Sequence, residues 1–386
     1  MINRFRLIGI MGVIGILVAC QQPGTPKSQY DTSTSVKMDS ATFAGKVDGK
    51  DVHLYELKNK NGVQAYFTNF GARIVGLWVP DKDGNLCDVV LGFTKAADYH
   101  NPKEPYFGTI VGPFGNRIAK GTFKLDGQTY NLPINNGVNT LHGGFKGVHF
   151  ANWSVKSSDE SSITFAYTLA DKAEGFPGNI AMEVTYTLND QNELMISYQA
   201  QSDKKTVINL TNHAYFNLNG EGSGTILDHQ MQIFADRFTP VDSTLIPTGE
   251  LKQVQGSAFD FTSVKTIGQD INADDQQLTY GKGYDHNFVL SKQTEGEWYK
   301  AAHVVGDKSG IVMDILTQEP GIQFYSGNFM NELVQLKNGT KDSFRTGFCL
   351  EPQHFPDSPN QPSFPSTELN PGQVYQTKSL YRFSVK

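Results

Sequence analysis

The chain has 386 residues, 38% of them hydrophobic, with 25 Phe and 16 Tyr, which is enough apolar surface for a large core and excludes a disordered protein. Three cysteines in this length exclude a disulfide framework, and a formal net charge of −6 argues against a nucleic-acid partner, which would need a basic patch. Glycine, with 38 residues, exceeds its usual share of about 7% and indicates a turn-rich fold, either all-β or α/β.

The first twenty residues combine two basic side chains with a short apolar run. Arg4 and Arg6 precede an uncharged stretch from Leu7 to Ala19, which has the length of a signal-peptide core and is shorter than the ~20 residues of a membrane span. The run ends at Cys20 and so resembles a bacterial lipoprotein signal. We therefore predict a signal peptide at residues 1–19 and an acylated Cys20, which places the folded part in the periplasm or cell envelope. The alternative is a plain secretory peptide with an incidental cysteine.

The segment after the signal is polar and lacks apolar periodicity. We predict that residues 20–45 comprise the lipid anchor and a flexible tether, because proline, serine and threonine dominate after Cys20. No linker-like stretch interrupts the rest of the chain, so residues 46–386 are predicted to form one domain. The two remaining cysteines, Cys87 and Cys349, are predicted to be separate thiols.

Alternating apolar residues are the main structural signal in this domain. Residues 162–169, 182–188 and 194–200 each place apolar side chains at every second position, with short polar turns between them, which is typical of a β-meander. No stretch of a dozen residues has helical periodicity, so a doubly wound α/β fold is not expected. The sequence predicts an all-β fold, a large antiparallel β-sandwich. The other predicted strands are residues 52–57, 63–68, 74–79, 231–234, 311–316 and 380–385.

Polar residues collect at two glycine-rich places in the first half of the domain. Asn116 and Arg117 follow Gly115, and the rigid guanidinium fork suits sugar hydroxyls or carboxylates. From spacing alone, a surface arginine that begins a strand is the favoured interpretation. His142 precedes two glycines, which allow other groups to approach the backbone closely, although a turn histidine explains the pattern equally well.

Three further places lie in the second half. His213 and Tyr215 belong to a dense polar segment and would share one strand face; a histidine can transfer protons near neutral pH, and the alternative is a hydrogen-bonded core histidine. Asp285 near a strand start is, taken alone, an ordinary turn residue. Glu351 directly follows an apolar run, and a carboxylate there is costly unless it is paired or used, which favours a functional role. The proline-rich residues 355–365 are predicted to be a rigid loop that lines another part of the molecule.

Metal and cofactor patterns are weak in this sequence. The HExxH, CxxC, EF-hand, P-loop and GxSxG patterns do not occur. Three histidines, His142, His213 and a further one, could together with a glutamate still form a metal site as in cupin-like β-folds, which remains the weaker alternative. A structural Ca²⁺ ion also stays open, since the acidic residues Asp270, Asp274 and Asp275 are ambiguous.

Six segments, in this order, resemble the aldose 1-epimerase family, the galactose mutarotases. The resemblance implies a large β-sandwich with an open sugar cleft, the galactose mutarotase-like supersandwich, and interconversion of the α and β anomers of a hexose such as galactose or glucose. It also implies that Glu351 is the general base, His213 the general acid and His142 a second active-site histidine. The matching segments are residues 115–119, 141–144, 211–218, 284–286, 320–328 and 350–353. The implied sugar-binding residues are Asn116, Arg117, Tyr215, Asp285 and Gln323.

One matching segment departs from the family pattern. Pro113 stands in the approach to Asn116, where many relatives have a more polar start with an arginine. Because proline has no N–H donor, the rim beside Arg117 loses a donor and the preferred sugar stays open.

The implied chemistry needs one base and one acid. Mutarotation removes the proton of the C1 hydroxyl while the ring oxygen is protonated, and ordinary pKa values of about 4.3 for Glu and about 6.5 for His leave the carboxylate ionised and the imidazole able to carry a proton. After rotation about C1–C2 the two groups reverse their roles, so no cofactor is required. We expect a small-molecule hexose as the partner and a monomeric protein. The rival hypotheses are a glycoside hydrolase that uses Asp285 and Glu351 as paired carboxylates, and a non-catalytic carbohydrate-binding lipoprotein.

Overall fold

The computed structural model describes residues 1–2, 38–291, 294–295 and 297–386, with the backbone alone at residues 294–295. Cys20, nearly all of the predicted signal peptide and most of the predicted tether lie outside these residues. The α-helices of the described residues are α1 (Ser40–Phe43) and α2 (Gln276–Gly281), and the remaining helical turns are short 3₁₀ segments. No helix in the described part of the chain is long and apolar enough to cross a membrane.

Strands make up most of the regular structure. The first half of the chain contains β1 (Gly45–Val47), β2 (Lys50–Val52), β3 (Leu54–Lys58), β4 (Gln64–Thr68), β5 (Arg73–Pro80), β6 (Leu86–Asp88), β7 (Thr109–Val111), β8 (Arg117–Ile118), β9 (Thr122–Leu125), β10 (Gln128–Asn131), β11 (Thr140–Leu141), β12 (Ser154–Ser158), β13 (Ser162–Leu169), β14 (Ile180–Leu188) and β15 (Glu193–Ser202). The second half contains β16 (Thr206–Val207), β17 (Thr211–His213), β18 (Tyr215–Phe216), β19 (Gln230–Ile233), β20 (Ala235–Phe238), β21 (Lys252–Gln253), β22 (Lys265–Thr266), β23 (Asp285–Leu290), β24 (Thr294–Glu295), β25 (Trp298–Val305), β26 (Ile311–Thr317), β27 (Gly321–Tyr325), β28 (Phe348–Gln353), β29 (Glu368–Leu369) and β30 (Tyr375–Val385).

Two large antiparallel sheets organise these strands. The first has the order β12-β13-β14-β15-β30-β26-β25-β19-β22, with β24 paired to β25, and the second has the order β18-β28-β27-β23-β20-β21. A four-stranded sheet, β3-β4-β5-β6, and several two-stranded ladders complete the fold. The predicted meander is confirmed, since β13, β14 and β15 are consecutive neighbours in the first sheet.

One hydrophobic core joins the two large sheets. Phe165 and Tyr198 from the first sheet belong to the same buried cluster as Phe324 and Leu350 from the second. Two sheets that bury their facing side chains against each other form a β-sandwich, which confirms the predicted fold class.

The strands β28, β27 and β23 of the second sheet are buried on nearly all of both faces, and this positions the site. In β28, Phe348 and Leu350 point into the sandwich core, whereas Cys349 and Glu351 alternate with them and point to the opposite face. The register places Glu351 opposite Gln323 on β27. Polar side chains of neighbouring strands therefore converge on the face away from the core.

The N-terminal boundary of the folded part differs from the prediction. Asp39 caps α1 by accepting a hydrogen bond from the Ala41 amide at 3.0 Å, and Phe43 is 1% exposed, with its ring 6.2 Å from that of Tyr99. The prediction that the tether reaches residue 45 is therefore wrong for its last residues, because the apolar ring of Phe43 packs on the domain.

Candidate active site

The polar face of the second sheet opens into a cleft of about 680 Å³. Its wall includes the 102–106 loop, the 135–138 loop and residues 243–245, while its floor comes from the strands. Seven of the eight sugar-site residues predicted from the sequence line it, and they are Asn116, Arg117, His142, His213, Tyr215, Asp285 and Glu351.

The proposed base and acid are neighbours on the cleft floor. His213 Nε2 lies 3.8 Å from Glu351 Oε1, and both side chains are buried, with exposed fractions of 7% and 3%. The other carboxylate oxygen, Oε2, is buried without a hydrogen-bond partner among the described residues. The buried Oε2 therefore lacks a partner, whereas Oε1 lies beside His213.

The second nitrogen of the His213 ring faces a thiol. Cys349 Sγ lies 3.6 Å from His213 Nδ1, and burial raises the pKa of Cys349, so it remains an uncharged thiol at neutral pH. A thiol both donates and accepts weak hydrogen bonds, so it can serve either tautomer of the ring. Cys349 and Cys87 are both free, as predicted.

His142 is held by a backbone contact that fixes its tautomer. The Asn116 amide donates to His142 Nδ1 at 3.1 Å, and the His142 amide donates back to the Asn116 carbonyl at 3.1 Å. Burial, with nearby His213 and Arg117, lowers the pKa of His142 well below its ordinary value. The neutral ring must then carry its proton on Nε2, which makes His142 a hydrogen-bond donor inside the cleft.

A buried charge pair forms another part of the floor. Arg117 Nη2 lies 3.7 Å from Asp285 Oδ2, with the side chains 8% and 10% exposed. Gln323 Nε2 donates to Asp285 Oδ1 at 2.7 Å, and Arg117 Nε donates to Asn136 Oδ1 at 3.2 Å. Gln323, the eighth predicted residue, is not among the residues that line the cleft, but it holds Asp285, which is.

Burial sets the protonation of the central pair. It raises the pKa of Glu351 well above 4.5, with Asp285 raising it further and Arg117 opposing the rise. Burial, together with the charge of Arg73, lowers the pKa of His213 from 6.5 to about 3, although a hydrogen bond with its own backbone opposes this shift. Both changes favour the uncharged forms, so a protonated Glu351 beside a neutral His213 is the favoured arrangement in the empty cleft. The ordinary pKa values assumed from the sequence are wrong here, because both groups are desolvated.

An aromatic wall covers the histidines, and the sequence analysis missed part of it. The Tyr106 ring stacks on His213 at 5.4 Å and meets His142 edge-on at 4.7 Å, while Tyr215 stacks on His213 at 5.1 Å. Tyr106 and its neighbour Glu104 lie in a loop without a recognisable motif. The one available signal was the pair of prolines around Lys103 and Glu104, which is weak.

The residues do not fit a metal ion. Potential ligand atoms of His142, His213 and Glu351 lie within 4.8 Å of one another, the one such group found in the described part of the chain. A metal-bound histidine normally donates its second N–H to an acceptor. The His142 Nδ1 atom instead receives the Asn116 N–H, which leaves the proton on Nε2 and no lone pair for a metal. This geometry argues against the cupin-like alternative.

The acidic residues considered for calcium have other contacts. Asp270 Oδ2 pairs with Lys265 Nζ at 2.7 Å, and Asp275 caps α2 by accepting from the Gln277 amide at 2.7 Å. Asp274 is exposed, and none of the three belongs to the converging group described above.

The proline-rich segment at 355–365 is not among the residues that line the cleft. The Asp357 amide donates to the Arg117 carbonyl at 2.8 Å, and Asp357 Oδ1 accepts from the Ala119 amide at 2.9 Å. The segment instead supports the backbone that carries Arg117.

Comparison with known sequences gives matches across most of the domain. The sequence profile described as aldose 1-epimerase matches residues 53–382. A galactose mutarotase from Sus scrofa is 45% identical over 317 residues, which cover 82% of this chain and 90% of that protein. The aldose 1-epimerase of Escherichia coli (strain K12) is 37% identical over 339 residues, which cover 87% of this chain and 96% of that protein.

Solved structures give the same result. An aldose epimerase homologue from C. elegans superimposes with a TM-score of 0.79 at 33% identity, covering 86% of this chain and 99% of that one. The galactose 1-epimerase from Lactobacillus acidophilus NCFM gives a TM-score of 0.77 at 28% identity, covering 88% and 97%. The profile match alone spans well over half of the chain. The chain therefore belongs to the aldose 1-epimerase family, isomerases that interconvert the anomers of aldoses.

Proposed function

We propose that this protein interconverts the α and β anomers of hexoses such as galactose and glucose by general acid–base catalysis, with Glu351 as base and His213 as acid. The observation that carries the proposal is the 3.8 Å approach of His213 Nε2 to Glu351 Oε1 on the floor of an open cleft. Both substrate oxygens that exchange protons, O1 and the ring oxygen, are bonded to C1, so two groups this close can reach them together.

Ring opening moves two protons. Glu351 takes the proton of the C1 hydroxyl while His213 gives its proton to the ring oxygen, and the C1–ring oxygen bond breaks to leave an open-chain aldehyde. Rotation about C1–C2 then presents the other carbonyl face, and the two groups reverse their roles to close the ring. Neither a covalent intermediate nor a cofactor is needed.

Burial of the pair has opposite effects before and after this step. In the empty cleft the proton resides on Glu351, so it must first pass to His213, and charging both groups costs free energy because they are desolvated. The short distance between the two side chains allows this transfer. Ring opening then returns the pair to protonated Glu351 and neutral His213, the arrangement that burial favours, and recovers that cost.

The remaining polar groups hold the rest of the sugar. The Arg117–Asp285–Gln323 group offers donors and acceptors to hydroxyls, and His142 offers its Nε2–H. Fixing one end of the sugar while C1 turns keeps the reacting atoms aligned.

The same contacts weigh against the glycoside hydrolase hypothesis. A hydrolase needs two carboxyl groups that act as acid and base or nucleophile. Both oxygens of Asp285 are engaged, one by Gln323 and the other by Arg117, which suits a hydroxyl-holding role. The non-catalytic binding alternative predicts no rate enhancement and is decided by the assay below.

The test follows the optical rotation of freshly dissolved α-galactose, α-glucose and other aldoses with and without the purified domain, residues 38–386. We expect equilibration faster than in buffer for at least one aldose. Background rates across the whole panel would contradict the proposal.

We further propose that the mature protein is a monomeric lipoprotein anchored through Cys20 and exposed outside the cytoplasm. The support is the sequence pattern of Arg4, Arg6 and the apolar run that ends at Cys20. Mass spectrometry of the mature N-terminus should find acylated Cys20, and the full chain should fractionate with membranes, whereas Cys20→Ser should not. An unmodified N-terminus at another residue would contradict the anchor.

A further inference from the structure

One carboxylate of the cleft has no part in the mechanism above. Glu104 lies in the loop before β7 and lines the cleft beside Lys103 and Tyr106. Its Oε1 atom accepts hydrogen bonds from the Tyr215 hydroxyl at 3.3 Å and from the Tyr106 amide at 3.4 Å. Both bonds end on Oε1, so Oε2 can accept a bond from a ligand.

The position of Glu104 relative to the reacting atoms follows from Tyr215. The Tyr215 ring stacks on His213, and its hydroxyl extends from that ring to Glu104. Tyr215 therefore connects Glu104 to His213, one of the two residues that act at C1, and Glu104 lines the same cleft.

Glu104 forms no ion pair among the described residues, although cations lie near it. The carboxyl groups lining the cleft are Glu104, Asp285 and Glu351, and the cations lining it are Lys103 and Arg117. Glu351 is protonated in the empty cleft, so two carboxylates face two cations. Arg117 is paired with Asp285, and Lys103 is exposed to solvent. Burial raises the pKa of Glu104 and outweighs the effect of the buried Arg73, which lowers it.

We propose that Glu104 is a specificity residue, which accepts a hydrogen bond from a hydroxyl of an uncharged aldose and excludes sugars that carry an anionic group. This inference rests on the proposed function and deepens it by naming the substrate class. An ionised carboxylate only accepts hydrogen bonds, so it matches hydroxyl donors and repels a second carboxylate or phosphate. Burial raises the pKa of Glu104 to about 7, so the test is made at pH 8.

The experiment compares galactose with galacturonate, the same ring with a carboxylate at C6. Dissociation constants are measured by ligand-observed NMR titration at pH 8, because binding does not depend on catalysis. The variants are Glu104→Gln, which removes the charge, Glu104→Asp, which keeps it, and Glu160→Gln, which makes the same charge change at an exposed residue outside the cleft. Thermal unfolding confirms that each variant is folded.

We expect the dissociation constant of the wild type for galacturonate to be at least about tenfold higher than that for galactose. In Glu104→Gln the ratio of these two dissociation constants should be about tenfold smaller. Glu104→Asp and Glu160→Gln should keep the wild-type ratio. An unchanged ratio in Glu104→Gln, or equal binding of both sugars by the wild type, overturns the proposal. If the wild type does not accelerate galactose mutarotation, the proposed function fails, while the binding ratios still decide the role of Glu104.

Discussion

Replacing Arg117 by methionine removes the cation that pairs with Asp285. At 3.7 Å and an effective dielectric constant of about 20, the attraction is worth about 4 kcal/mol. Losing one partner of a buried pair typically costs about 3–5 kcal/mol, and Asp285 keeps its bond from Gln323, so we expect a loss of about 3 kcal/mol in the free energy of unfolding at pH 7.5.

The pKa of Asp285 determines how the stability loss of Arg117→Met changes with pH. Burial already raises this pKa above 3.8 against the effect of Arg117, and the loss of Arg117 raises it further. A carboxyl with a raised folded-state pKa favours folding at low pH, and this contribution disappears as the pH rises through that pKa. The loss in the free energy of unfolding should therefore be full at pH 7.5 and shrink to about 1 kcal/mol at pH 4.5. The part that remains at pH 4.5 comes from the lost hydrogen bond between Arg117 and Asn136.

Urea unfolding at both pH values measures the effect. Arg237→Met, at an exposed position of β20, is the matched control and should change stability by less than about 0.5 kcal/mol. The double variant Arg117→Met with Asp285→Asn should recover most of the loss at pH 7.5. Equal losses at both pH values, or no recovery in the double variant, would refute the reasoning.

Three more predictions concern the site. Cys349→Ala removes the thiol that contacts His213 Nδ1, so kcat measured by polarimetry should fall about fivefold at unchanged KM. Cys349→Ser keeps a hydrogen-bonding group there and should retain most of the wild-type kcat. Equal kcat values for the wild type and both variants would exclude a positioning role for Cys349. Glu351 and His213 must together hold one proton for catalysis. Because burial lowers the pKa of His213 to about 3 and raises that of Glu351, kcat/KM should not fall on the acid side near pH 4.5, the ordinary pKa of Glu. A fall of kcat/KM on the acid side that is centred at or above pH 4.5 would contradict this. Gly143→Ala should destabilise the fold by more than about 1 kcal/mol in urea, since φ is +82° and the new Cβ would lie 2.0 Å from the Gly112 carbonyl oxygen; wild-type stability would contradict it.

Several long strands could be predicted, both where one face is accessible and where both faces are buried, as in β4 and β5. The predicted boundaries of β13 (Ser162–Leu169) match the structure, and β15 (Glu193–Ser202) extends the predicted run by a residue or two at each end. These strands alternate buried and accessible residues, which is the signal that sequence periodicity reports. The strand β27 (Gly321–Tyr325), all of whose five residues are buried, was not predicted.

The candidate site was predictable as a set of residues but not as an arrangement. Arg117 and Asp285, each more easily explained alone as a surface or turn residue, are 168 positions apart in the chain and become a buried pair when β8 and the second sheet assemble. The family resemblance predicted that both residues belong to one site, which the local sequence pattern around each of them could not do. Neither the local pattern nor the resemblance predicted that the loop with Glu104 and Tyr106 lines the cleft, since its position depends on tertiary packing alone.

Polarimetry of paired variants tests the central claim most directly. Glu351→Gln and His213→Asn should each reduce the mutarotation rate of the preferred aldose to the buffer background, while sugar binding stays measurable by NMR titration. The controls Glu160→Gln and His53→Asn make the same changes at exposed positions and should keep the wild-type rate. Full activity in either Glu351→Gln or His213→Asn would contradict the assignment of that residue to proton transfer.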